Sequence, residues 1–379
     1  MEAPIYLDYN STTPIDKRVL DEMLPFLTYE FGNASSKLHS LGWNAASAID
    51  QSRKRIAAFL NCEPSEIIFT SGATESINTI LKGVFEVFYP SKNEIITTRT
   101  EHKAVLDVCE YLEKKGAIVH FLDVLPDGNI DTQQLKEVIN EKTIVVALMA
   151  VNNETGLIHP LEEIGRITKE RNTYFFSDLT QAAGKIDLNV NQMNIDIACL
   201  SAHKMYGPKG IGCIFKRRKY PQVRFTPLLH GGSHEEGMRS GTLNVAGIVG
   251  LGKACELSQN EYWDDNTRIS ALRAKLEHQL LDFEGVRING DTKNRVYNTS
   301  NICFSGKAAT DLVKRINNRI AVSFGSACTS NKNELSHVLR AMKMDEKDIQ
   351  SSIRFSLGRM STELEIETTS KILTEILTN

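Results

Sequence analysis

The sequence predicts an α/β fold: a large domain on a mostly parallel seven-stranded sheet, and a smaller α+β domain. Three observations carry this. Short apolar runs alternate with helix-period segments from about residue 67 to 216, the pattern of a parallel sheet covered on both faces. The texture changes near residue 260, where a long helix begins and strands become fewer. At 379 residues the chain also exceeds one ordinary core, so two units are expected.

The seven strand-like runs are EIIF (66–69), EIITT (94–98), AIVHFL (117–122), IVVALMAV (144–151), TYFFS (173–177), DIACLS (196–201) and GIGCIF (210–215). Amphipathic helices lie between several of them. Leu161, Ile164 and Ile167 share one helical face, and Ile49, Arg53, Ile56 and Leu60 share an earlier one. Ile269, Leu272, Leu276 and Leu280 mark the long helix. Residues 16–259 are therefore assigned to the large domain, and residues 1–15 with 260–379 to the small one.

Composition excludes several classes of function. A chain with 41% hydrophobic and 24% charged residues is a soluble globular protein. A net charge of −3 provides no broad nucleic-acid-binding face. One basic run, Lys216, Arg217, Arg218 and Lys219, reads as a solvated strand end, with a docking patch as the lesser alternative. The first ten residues lack a basic segment followed by an apolar one. The longest apolar run, 144–151, is far short of the roughly 20 residues that span a bilayer. A reducing cytoplasm is the expected location.

The seven cysteines, at 62, 109, 199, 213, 255, 303 and 328, are widely spaced and include no C-x-x-C pair. They form neither a disulfide framework nor a zinc site. Six lie in apolar or helical contexts and read as packing. Cys328 sits instead among Gly325, Ser326, Thr329, Ser330 and Asn331, the composition of a solvated loop. Free cysteine is usually buried, so a thiol there is either accidental or reactive.

Ligands of parallel sheets collect at the carboxyl ends of the strands. FTSGATESIN leads from a strand through Ser71, Gly72, Ala73 and Thr74 into a helix. Taken alone this is an ordinary N-cap or an anion cradle. The next strand ends at His102, a capping residue or a functional one. TYFFSDLTQ ends an apolar strand with Asp178, with Gln181 following, and DIACLSAHK ends another at Ser201, His203 and Lys204. A carboxylate and an amine in such positions are costly without a partner. An Asp178–Lys204 ion pair would satisfy both. So would a pyridoxal phosphate site, where lysine holds the cofactor and aspartate pairs with the pyridinium nitrogen. That cofactor also needs a phosphate cradle, a stacking ring and a hydrogen-bonding amide. The combination of all five at strand ends favours the cofactor. Arg354, between Ile353 and Phe355, is then a natural clamp for an amino-acid carboxylate.

In this order YLDYNSTTPID, FTSGATESIN, TEHKAVLD, VNNETG, SAHKMYGPKG, HGGSHEEGMRSGTLN, GSACTS and SSIRFSLGR resemble the cysteine desulfurases, group I. These are fold-type-I pyridoxal 5′-phosphate enzymes of the class-V aminotransferase family, and the resemblance runs over essentially the whole chain. It implies Lys204 as the cofactor-bearing lysine and His102 as the stacked acid–base residue. Asp178 would meet the pyridine nitrogen and Gln181 the phenolic oxygen, with Asn153 near cofactor and substrate. Ala73, Thr74, Ser201 and His203 would hold the phosphate, joined by Thr242 from a second subunit. Arg354 would bind the substrate carboxylate, and Cys328 would be the persulfide-forming nucleophile.

The implied enzyme is a homodimer that converts L-cysteine to L-alanine and passes the sulfur to an acceptor protein. Iron–sulfur cluster assembly, tRNA thiolation and DNA phosphorothioation are the pathways left open. A selenocysteine lyase or an aminotransferase is the alternative activity. Three features depart from the family pattern. Phe324 stands where serine is common, Leu179 stands where a small residue is usual, and the chain ends at ILTEILTN without the extended tail that housekeeping members use on a scaffold.

Overall fold

The computed structural model describes residues 3–324 and 335–378; Cys328 and its loop neighbours from 325 to 334 lie outside them. A short strand β1 (Ile5–Tyr6) precedes helices α1 (Lys17–Thr28) and α2 (Ser40–Leu60). Strand β2 (Ile67–Thr70) then turns into α3 (Ala73–Phe88), and β3 (Glu94–Thr98) into α4 (Lys103–Glu113). Strand β4 (Ile118–Leu122), α5 (Thr132–Val138), β5 (Thr143–Ala147), α6 (Leu161–Glu170) and β6 (Tyr174–Asp178) continue the alternation. Strands β7 (Ile197–Ser201) and β8 (Gly212–Lys216) close the first sheet.

That sheet has seven strands in the order β2-β8-β7-β6-β5-β3-β4. Only β8 runs against its neighbours, pairing antiparallel with both β2 and β7. All seven predicted runs are its strands. The run 144–151 outlasts its strand, however, because the sheet pairing stops at Ala147. Leu148 and Ala150 still donate their N–H groups to Phe176 O and Asp178 O, which carries the chain past the sheet edge beside the end of β6. Apolar clusters cover both faces of the sheet, as continuous apolar strands require.

The remaining elements are α7 (Val245–Leu281), β9 (Val286–Ile288), β10 (Thr299–Phe304) and α8 (Ala309–Ile316). After them come β11 (Ile320–Ala321), α9 (His337–Ala341), α10 (Glu346–Gln350), β12 (Ser352–Ser356) and α11 (Glu363–Leu377). Helix α7 is continuous through residue 260, packing on α1 and α2 at one end and α11 at the other. A third apolar cluster joins Leu7, the later half of α7, β10, β12 and α11. Strands β12, β10 and β9 form an antiparallel sheet there, and β1 pairs with β11. The alternating pattern of β12 hides a strand buried at every position: Asp8 bridges Ser356 and Ser323 bridges Arg354, so the polar side meets other chain segments rather than water.

The basic run is a solvated strand end only in its second half: Arg218 and Lys219 are exposed, while Lys216 and Arg217 are half-buried, Arg217 donating to Val190 O and Ile195 O and facing Asp196. Arg218 pairs with Glu236. Leu179 is fully buried and packs in the large core. Among the described residues no helix is long and apolar enough to cross a membrane.

Candidate active site

The carboxyl ends of β2, β3, β5, β6 and β7 surround one cavity of about 580 Å³. Ala73, Thr74, His102, Asn153, Asp178, Gln181, Ser201, His203, Lys204 and Arg354 all line it. Thr242 does not: it is exposed on the loop before α7.

One end of the cavity is built to receive an anion. Gly72 precedes α3 with φ +147°, a conformation that favours glycine. The first N–H groups of a helix have no partner within it, and here they accompany the Thr74 hydroxyl, Ser201 and His203. A Cβ on Gly212 would lie 2.8 Å from Gly72 Cα, so that glycine lets β8 approach the turn. His203 Nδ1 meets Thr12 Oγ1 at 3.1 Å. Burial, reinforced by Lys204 and Lys209, pulls this imidazole down to about 4. It is therefore neutral near pH 7, with hydrogen-bonding capacity and no charge.

The middle of the cavity carries the ionisable groups. Asp178 Oδ1 accepts from Thr180 N at 2.8 Å at the buried end of β6. Lys204 Nζ donates to Asn10 O at 2.6 Å and Ser11 O at 2.7 Å. The Asp178–Lys204 ion pair is thus not the arrangement that forms. His102 caps α4, its Nδ1 accepting from Ala104 N at 3.1 Å. A neutral imidazole that accepts at Nδ1 carries its proton on Nε2.

At the other end Arg354 reaches across from β12. Its Nη1 donates to Asn153 O at 2.9 Å, and its Nη2 to Asp8 Oδ1 at 2.7 Å and Ser11 Oγ at 2.8 Å. Its Nε has no hydrogen-bond partner. Buried polar atoms are normally paired, so this donor edge, beside the cavity, has capacity for an anionic ligand.

Several contributors escaped the sequence reading. Asn10 is buried and links four segments: its Nδ2 donates to Asn153 O and Thr299 Oγ1, and its carbonyl accepts from Gln181 and Lys204. Glu154 accepts from Ser336 Oγ at 2.5 Å, and His337 Nε2 meets Glu101 O at 2.9 Å. These contacts tie residues immediately after 334 to the cavity wall. The motifs YLDYN and VNNETG held Asn10 and Glu154 in plain view, but their partners lie far away in sequence.

The other cysteines match their reading as packing. Burial pushes the Cys62 and Cys109 thiols up to about 12 and Cys303 to about 11, and also raises Cys199, Cys213 and Cys255. Thiols held this way are poor nucleophiles.

A parallel sheet with its charged groups gathered at the strand ends, served by a second sheet that supplies an arginine, is the architecture of the fold-type-I transferases. Residues 5–368 match the family described as aminotransferase class-V. The chain is 47% identical to cysteine desulfurase IscS of Rickettsia bellii over 371 residues, which covers 98% of this chain and 90% of that one. A solved structure described as a NifS-like protein superposes with a TM-score of 0.93 at 39% identity, covering 99% of both chains. Another, described as SspA in complex with cysteine, does so with a TM-score of 0.83 at 35% identity, covering 94% of this chain and all of that one. The chain belongs to the class-V aminotransferase family and, within it, to the cysteine desulfurases.

Proposed function

We propose that this protein is a pyridoxal 5′-phosphate-dependent cysteine desulfurase working through Lys204, His102 and Cys328. The observation that carries the reading is the shared cavity of Lys204, Asp178 and Arg354, with an anion cradle at one end and a guanidinium at the other. The residues fit the cofactor. The α3 N-terminus, Thr74, Ser201 and neutral His203 suit its phosphate, with Thr242 of a second copy joining them. Asp178 suits the pyridinium nitrogen and Gln181 the phenolic oxygen. When bound, the cofactor supplies an electron sink beside the substrate Cα.

The chain's own groups do the rest. Lys204 Nζ, held by two backbone carbonyls, is the group that would hold the cofactor, and it takes and returns a proton. Arg354 and Asn153 orient the cysteine carboxylate. His102 exchanges a proton through Nε2. Cys328 attacks the substrate sulfur as thiolate: the substrate's Cβ–S bond breaks, an S–S bond forms on Cys328, and Cβ gains a proton to give L-alanine. Both sulfurs of the persulfide are thereby oxidised relative to the thiols, and Cβ is reduced by the same pair of electrons.

The persulfide sulfur goes to an acceptor protein of iron–sulfur assembly, tRNA thiolation or DNA phosphorothioation, in the cytoplasm. We read the chain as a large cofactor domain, 16–259, and a small domain, 1–15 with 260–379; the separate apolar cluster around β10 and β12 supports this.

The test is incubation with L-cysteine and reductant, assayed for sulfide and alanine. Lys204→Ala should lose the cofactor's visible colour. Cys328→Ser should keep it and release no sulfide, and mass spectrometry of the wild type should find extra sulfur on the Cys328 peptide. Sulfide at the wild-type rate from Cys328→Ser overturns the thiol assignment. Consumption of cysteine without alanine and sulfide in equal amounts points to another activity of the class.

A further inference from the structure

Lys185 has no part in the scheme above, yet its amine is buried against the cavity floor. Its Nζ donates to Gln181 Oε1 at 2.6 Å and to Asn10 Oδ1 at 3.4 Å. Both acceptors are neutral amide oxygens. Burying an amine on neutral acceptors is costly. Burial first, then the charges of Lys204 and Arg354, pull this lysine down to about 7. An apolar side chain in its place would carry no such penalty, so what the amine does to Gln181 explains its presence.

The two ends of a carboxamide are nearly equal in shape and opposite in hydrogen bonding. As the ammonium, Lys185 only donates, so the end of Gln181 that faces it is the oxygen. The Nε2 end is then turned away, giving one N–H to Asn10 O at 2.9 Å. Its second N–H remains on a side chain that lines the cavity. Asn10 is itself pinned, its Oδ1 also accepting from Asn298 Nδ2 at 3.2 Å and its Nδ2 donating to Thr299 Oγ1 at 2.9 Å. Lys185, Asn10 and Gln181 therefore form one fixed unit, with Lys204 resting on the same Asn10 carbonyl.

We propose that Lys185 is a positioning residue for the cofactor site: it locks the Gln181 carboxamide with its N–H toward the ring oxygen and, in its protonated form, sets a second positive charge near Lys204. The proposal rests on the cofactor reading. The charged groups that face Lys185 are Lys204, from the segment after β7, and Arg354, from β12; Arg354 is itself paired with Asp8.

The experiment compares wild-type holoenzyme with Lys185→Gln and Lys185→Met. Glutamine restores a donor to Gln181 without the charge, and methionine restores neither. Cofactor affinity should fall about tenfold in Lys185→Met, the effect of one lost oriented hydrogen bond, and stay within about twofold of wild type in Lys185→Gln. In both variants the pH midpoint of the bound cofactor's visible absorption should rise by about one unit, because a neighbouring cation disfavours protonation. A loss of folding alone would not move that midpoint. Wild-type titration in both variants overturns the proposed charge, and equal cofactor loss in both overturns the proposed lock. A wild-type protein that takes up no pyridoxal phosphate overturns the cofactor reading, and the role of Lys185 with it.

Discussion

Arg354 Nη2 and Asp8 Oδ1 lie 2.7 Å apart although 346 residues separate them in the chain. The pair joins β12 to the N-terminal segment and sets a carboxylate against a nearly dry guanidinium, with Ser11 Oγ and Asn153 O taking further N–H groups. A lysine there would retain the charge and lose the planar fork that grips a carboxylate. Arg354→Lys should therefore raise KM for L-cysteine about ten- to hundredfold while the cofactor stays bound. Steady-state kinetics and the visible spectrum check this; an unchanged KM would remove Arg354 from substrate binding.

This pair also shows where the sequence was readable. The seven strands were legible because strands buried on both faces are written as unbroken apolar runs. Asp178 and Lys204 stood out because a charge at the end of such a run needs a reason. Arg354 was visible for the same reason, flanked by Ile353 and Phe355. Asp8, Asn10 and Lys185 were not, because their meaning lies in partners brought close by folding. Lys185 sits in a stretch of small and polar residues where a lysine looks solvent-facing. Nothing local says that its amine turns inward to Gln181. The half-buried part of the basic run was illegible for the complementary reason: Arg217 finds its carbonyl acceptors on another segment.

Glu235 holds the loop that carries Thr242. Its side chain is buried, and its backbone has φ +48°, a left-handed conformation uncommon for a non-glycine residue. Its carboxylate takes Arg53 Nη2 at 2.7 Å and Phe69 N at 2.9 Å, while Arg239 reaches Glu75 at the start of α3. Removing one partner of a buried pair strands the other charge, at about 3 kcal/mol. Glu235→Ala should lower the melting temperature by several degrees and weaken cofactor retention, because β2 leads directly into the anion cradle. Glu236→Ala, which removes only an exposed pair with Arg218, should change the melting temperature by about a degree at most. Calorimetry of both variants makes the comparison; equal effects would refute the anchoring role.

Glu101 tests what burial does next to His102. Its carboxyl is pushed well above the usual range, by burial first and by the charge of Asp178 in addition, while Met149 N donates to Oε1 at 2.6 Å. With the folded value raised, the group adds no penalty below the unfolded value of about 4.3. The penalty grows as pH rises from there toward the folded value, since the unfolded chain ionises first. Glu101→Gln keeps the acceptor for Met149 and cannot ionise. It should match wild type near pH 4 and melt higher near pH 7. A variant that is less stable at neutral pH would mean that the carboxylate is ionised and needed there.

His159 should set the acid limit of the fold. The ring is buried, neither nitrogen has a hydrogen-bond partner, and burial lowers it from 6.5 to about 4. The direction is opposite to that of Glu101. Between pH 6.5 and about 4 the unfolded chain binds a proton that the folded one refuses, so stability is full above 6.5 and falls as pH drops through this window. Over the whole window the loss is on the order of 3 kcal/mol. His159→Leu removes the titration and leaves an apolar side chain in an apolar place. Its melting temperature should run parallel to that of wild type above pH 7 and then fall less steeply as the solution is acidified. Denaturant unfolding at pH 7.5 and pH 5 measures the difference directly, and equal acid sensitivity in the two proteins would show that His159 finds a partner for its proton in the folded state.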